Sequence, residues 1–323
     1  MSERRSPFAA LTMAVVAVGM AVSGFFVPTE AGSGEILSEI PWLSHLLAIL
    51  CLALVAVSLQ YVNSNSYLFS SDGQMLFLPY LLAVLSLPCS ISLSVYHVSA
   101  LLMVWSMLFA VRYVNAETLR FDLVFAAIFL SGCASLMVPP LLYMEAFIFL
   151  YCLFRRGQDL LRYMLSCVAA AAVPWIYLLS WMYVFPDSLS PDLLRDFRMS
   201  LAFHIPSVAE FTLPEIIVSC FALLLTLRAL VFVSVKNRER NKAQKNAFGL
   251  SVALSVVSVL TVVFCSGSLS RLVVMVAAVP VSFAVFDLFT NGRRQEVCIW
   301  LVLLILLAAS FRILEFFPSI QVR

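Results

Sequence analysis

Trp42–Val62 runs for 21 residues without an Asp, Glu, Lys or Arg, and runs of this kind recur along the whole chain. A bilayer core about 30 Å thick needs about 20 mostly apolar residues of helix to cross it. Measured that way, the sequence holds eleven segments: Phe8–Val27, Trp42–Val62, Met75–Ser92, Val95–Val114, Phe121–Val138, Leu141–Phe154, Leu160–Phe185, Leu213–Val235, Ala247–Cys265, Leu272–Phe289 and Val297–Phe316. The runs are continuous rather than alternating, so helices are expected and not the strands of a barrel. With 63% apolar and 12% charged residues, the chain has too little polar surface for a soluble globular domain. The expected fold is therefore all-α, a polytopic transmembrane helical bundle of about eleven spans in a single integral membrane domain over residues 1–323. Membrane lipids are the expected partners. A net charge of +2 gives no sign of nucleic acid.

Phe121–Phe154 is too long for one span, at roughly 51 Å of helix. Pro139 and Pro140 cannot sit comfortably in a helix interior, so a hairpin with its tip at the two prolines is expected, with a re-entrant pair as the alternative.

Orientation follows from Lys and Arg. With the N-terminus inside and the C-terminus outside, the inner segments hold Arg4, Arg5, Arg112, Arg120, Arg155, Arg156, Arg162, the loop 236–246, Arg293 and Arg294. The outer loops are acidic, with Glu30, Glu35, Glu39, Asp187, Asp192, Asp196, Glu210 and Glu215. This arrangement suits a bacterial inner membrane. The first segment follows Arg4 and Arg5 and has no A-x-A site behind it, so a retained anchor is expected rather than a cleaved signal peptide.

Two loops stand out. In segment 190–204, Ser190, Pro191 and Asp192 suit a helix start, and Leu193, Leu194, Phe197 and Leu201 then form a stripe from which Arg195 and Arg198 are excluded. An amphipathic helix on the outer interface is expected, with a lid packed on neighbouring loops as the alternative. Loop 236–246 is the densest basic run and reads as a positive-inside determinant.

Chemistry is sparser. Eight cysteines contain no C-x-x-C, and three histidines (His45, His97, His204) lack paired spacing, so no metal and no cofactor are expected. All three histidines fall on the outer side, where His97, His204, Arg195 and Arg198 are candidate substrate contacts. There is no G-x-x-x-x-G-K-[ST], G-x-G-x-x-G or H-E-x-x-H. Ionisable groups inside spans are costly and mark function by default. Glu145 lies in the outer half and is the foremost of them. Arg228 lies in the inner half of its span and Asp287 near the inner end, close to Arg293 and Arg294, and both are expected to snorkel or pair at the inner surface.

Phe121-Asp122, Ser131-Gly132-Cys133-Ala134-Ser135-Leu136, Pro139-Pro140, Phe154-Arg155-Arg156, Pro174-Trp175 and Tyr183-Val184-Phe185 follow one another in an order that resembles an uncharacterised family of bacterial multi-pass inner-membrane proteins of about 300 residues. Some of its members carry the label carotenoid monooxygenase. An oxygenase of that kind holds iron on several imidazoles, which three unpaired histidines do not supply. The same region is distantly similar to polyprenol-phosphate-dependent integral-membrane glycosyltransferases. That likeness implies a lipid-linked substrate and a general base in the first outer loop, where Glu30, Glu35 and Glu39 stand. The loop here is short and lacks an Asp/Glu dipeptide. The reading taken is an accessory or assembly factor for envelope components. A glycosyltransferase-like protein at the outer leaflet and a transporter coupled through Glu145 are the alternatives.

Overall fold

Apolar runs in the sequence become helix wherever they are described. A computed structural model describes residues 15, 17–19, 21–22, 39–66, 77–85, 92–155, 159–185, 193–202, 213–236, 240–264 and 267–316. The helices are α1 (Pro41–Ser66), α2 (Phe77–Leu85), α3 (Val95–Asn115), α4 (Phe121–Met137), α5 (Leu142–Arg155), α6 (Leu160–Val184), α7 (Leu193–Leu201), α8 (Leu213–Lys236), α9 (Lys242–Phe264), α10 (Gly267–Asn291) and α11 (Arg294–Phe316). No strand occurs among the described residues. Four helical stretches there are long and apolar enough to cross a membrane: Pro41–Val62, Val95–Asn115, Leu160–Val184 and Lys242–Phe264.

Between α4 and α5 the chain reverses through a 3-10 turn, Pro139–Leu141. Proline suits the first positions of such a turn because its missing N–H has no partner to lose there. The reversal is tight enough that Ser135 and Glu145, on either side of the prolines, are hydrogen-bonded at 2.9 Å. The expected hairpin tip at Pro139-Pro140 is therefore present.

Helix α3 is central, packed against α1, α4 and α10, while α9 lies against α10, α5 and α8. Small residues let these helices approach. The buried face of α9 carries Ser251, Ser255, Ser258 and Thr261, and that of α4 carries Ser131, Gly132, Ala134 and Ser135. Lipid tails are as apolar as leucine, so helix association in a bilayer rests on close packing and interhelical hydrogen bonds. Two such bonds run from Ser106 to the Ala127 carbonyl (2.7 Å) and from Ser251 to the Pro280 carbonyl (3.0 Å). The sequence has no G-x-x-x-G, and serine takes the role that glycine plays in that motif.

Polar side chains tie each end of the bundle. At one end Arg112 donates to Tyr61, Asn115 to the Ala243 carbonyl, Asn246 to Asn115 and Tyr151 to the Asn246 carbonyl. At the opposite end the Leu93 N–H donates to Ser44 at 2.9 Å, joining the starts of α1 and α3. Arg112, Arg240, Lys242 and Lys245 share the first end.

The basic loop requires a correction. Residues 242–246 are not loop but the first turns of α9, and α8 continues to Lys236. Asn241 caps α9: its Oδ1 accepts the Gln244 N–H at 2.9 Å. Asn-x-x-Gln is a helix-start pattern that the density of positive charge masks in the sequence.

Candidate functional site

Glu145 occupies the junction of three elements. It lies in the first turn of α5 and is only 7% exposed. Its Oε2 accepts from Ser135 of α4 at 2.9 Å, and Ser135 also lies 2.9 Å from the Gly132 carbonyl as donor. A serine hydroxyl has one proton, so it serves one of these two acceptors at a time. A proton on Glu145 completes both contacts, because Glu145 then donates to Ser135 and Ser135 to Gly132.

The other carboxylate oxygen, Oε1, faces the α-carbon of Gly132. A methyl group there would stand 3.4 Å from Oε1 and 3.4 Å from Cγ of Pro174. Glycine thus lets α5 and α6 close on α4 at one level. Pro174 lies inside α6 and is buried. Lacking an N–H, it leaves the Ala170 carbonyl without its helical donor and favours a kink. A buried carboxyl, a hydroxyl, a glycine and a helix-interior proline therefore meet at one point.

Helix α7 lies across the same corner. Tyr143 of α5 donates to the Leu201 carbonyl at 2.7 Å. Phe197 meets Trp175 of α6 edge-to-face at 4.9 Å between ring centres. Arg198 is exposed, as expected for a residue off the apolar stripe, and so is Met199.

Other candidates fall in different places. His97 is fully buried at the start of α3, where its Nδ1 accepts the Ser94 N–H at 3.3 Å and lies 3.0 Å from Ser94 Oγ. This is a capping arrangement, with histidine in the place of the usual Glu or Gln. His45 is buried beside Ser44, and its Nε2 stands 3.3 Å from the Ala21 carbonyl. The Ser44–Leu93 bond brings these two histidines to the same end of the bundle. Glu39 lies in an exposed turn before α1. Glu30, Glu35 and His204 fall outside the described residues, as does the side chain of Arg195 on α7. Among the described residues no three His, Cys, Asp or Glu side chains gather as metal ligands.

Two further charges in apolar segments of the sequence, Arg228 and Asp287, are paired. Arg228 reaches Glu296 of α11 with two nitrogens, at 2.6 and 3.1 Å. Asp287 pairs with Arg240 at 2.5 Å, a partner that its position in the sequence does not single out. Packing of α9 on α10 brings Arg240 over the Asp287 turn, whereas Arg293 lies beyond the end of α10. Asp287 also accepts from Asn291 at 2.9 Å, and the Arg240 guanidinium carbon sits 3.6 Å from the Phe248 ring centre. Sequence reasoning missed this network because its members are 47 residues apart.

Comparison of the chain with protein-family models, curated proteins and solved structures finds no match.

Proposed function

We propose that this chain is a multi-pass protein of the bacterial inner membrane, with eleven spans, its N-terminus inside and its C-terminus outside, and that it is a transporter coupled through a proton on Glu145. Topology is supported by the sorting of basic side chains to one end of the bundle, the pattern of cytoplasmic faces. Exposed Trp42, Trp181 and Tyr183 at the other end support it too, since such rings favour the membrane–water boundary.

The observation that carries the transport reading is the Glu145 junction. An ionisable group within a span is retained against a cost of a few kcal/mol unless it is paired or used. Among the described residues Glu145 has a hydroxyl partner and no cationic one, whereas Asp287 and Glu296 each meet an arginine. It lies beside the Pro139-Pro140 turn that joins α4 to α5 and against α6, which contains Pro174, and a helix interrupted beside a polar group is a recurring transporter device. The general base of a glycosyltransferase has one described counterpart here, Glu39, in an exposed turn. An accessory role points to no particular side chain. Glu145 is the residue on which a functional reading can stand.

Purified protein in proteoliposomes, adsorbed to a solid-supported membrane and given a pH step, tests this without knowledge of the solute. A transient charge displacement is expected, and Glu145→Gln abolishes it. A displacement of equal size in Glu145→Gln refutes the reading.

A further inference from the structure

We infer that α7 is a lid that closes the outer approach to Glu145, held shut by Phe197 and the Leu201 carbonyl. The inference rests on the reading of Glu145 as the working residue and adds how that residue is reached. Its support is the coincidence of α7's anchors with the elements that build the site. Tyr143, which holds Leu201, precedes Glu145 by two residues on the same helix. Trp175, which receives Phe197, directly follows Pro174, the residue standing against Gly132. Between these anchors α7 packs on the Pro139–Leu141 turn, the tip of the α4–α5 hairpin. One nine-residue helix thus bridges the start of α5, the hairpin tip and the proline segment of α6.

The character of α7 suits a lid better than a fixed strut. Its described contacts with the bundle include one ring pair and one hydrogen bond to a backbone carbonyl, while Arg198 and Met199 are exposed. A helix this short is not stable by itself in water, so its contacts decide whether it stays seated. Phe197 also plugs the corner with an apolar ring, which excludes water while the lid is seated.

Thiol access provides the test. Cys133 neighbours Gly132, is half-buried and lies within electrostatic reach of Glu145. In full-length protein retaining Cys133 as its sole cysteine, spheroplasts are treated from outside with 2-sulfonatoethyl methanethiosulfonate, which does not cross lipid. Phe197→Ala and Tyr143→Phe are each expected to raise the labelling rate about tenfold, the factor that corresponds to loss of about 1.4 kcal/mol of contact. Met199→Ala, on the exposed side of the same helix, is expected to leave the rate within about twofold of the background. Thermal midpoints and size-exclusion profiles matching the background keep unfolding out of the comparison. Unchanged labelling in both Phe197→Ala and Tyr143→Phe overturns the lid, as does equal acceleration in Met199→Ala. The pH-step experiment separates the two claims. Acceleration without a Glu145-dependent charge displacement leaves the lid and overturns coupling, whereas displacement without acceleration overturns the lid alone.

Discussion

Removing the carboxylate of Asp287 is expected to be the most damaging single change at the basic end of the bundle. The Arg240 side chain is 9% exposed and that of Asp287 is 1% exposed, so neither charge has water as an alternative partner. Asp287 holds Arg240 at 2.5 Å and accepts from Asn291 at 2.9 Å. Arg240 Nη1 is buried with no hydrogen-bond partner, so the guanidinium depends on this one carboxylate and on the Phe248 ring. Breaking a buried pair from one side costs about 3–5 kcal/mol, because it strands the other charge. Asp287→Ala is expected to lose that much. Arg240→Met combined with Asp287→Leu removes both charges and keeps side-chain volume, and is expected to recover at least about 2 kcal/mol of it, since such replacements are often neutral or stabilising. Reversible unfolding in mixed detergent micelles, run on the single and double variants as a cycle, measures the coupling. A cost below about 1 kcal/mol for Asp287→Ala, the level of an exposed pair, would refute the reasoning. So would a double variant no more stable than the single one.

Four further outcomes are expected. Glu145→Gln keeps the hydrogen-bonding outline of a protonated carboxyl, so its unfolding free energy should stay within about 1 kcal/mol of the native chain, and a larger loss would mean that a charge is needed there. Ser251→Ala removes the bond to the Pro280 carbonyl and should cost about 0.6 kcal/mol in the same assay, the average for an interhelical bond in a membrane protein. Asn241→Ala should cost about 1 kcal/mol and raise amide exchange at Gln244, because the cap bond is lost. A Cβ at Gly292 would stand 2.4 Å from the Leu288 carbonyl oxygen, so Gly292→Ala should lower stability by about 1–3 kcal/mol and shift the α10–α11 connection.

Several features were legible because they are local. Proline removes a backbone donor wherever it stands, so the reversal at Pro139-Pro140 needed no tertiary information. A helix at α7 was legible from helical spacing alone, with Phe197 turned to Trp175 and Arg198 off that stripe and exposed. The start of α9 was local too, but Asn241 and Gln244 were read as part of a charged loop and not as a cap. The acid and base partners were not legible. Asp287 meets Arg240, 47 residues away, because α9 and α10 lie side by side.

Taken alone, the sequence determined the helical, membrane-type character of this protein, since 63% apolar residues in runs near 20 leave a chain no other way to satisfy its backbone in lipid. It also singled out Glu145, because a lone carboxyl in an apolar segment is conspicuous whatever surrounds it. Only the tertiary structure decided what Glu145 meets: Ser135 across the hairpin, Gly132 beneath its second oxygen, Pro174 from a separate helix and α7 above. The physical reason is that hydropathy depends on each residue's own transfer free energy, whereas a site depends on which helix faces approach, and that is set by packing between segments far apart in the chain.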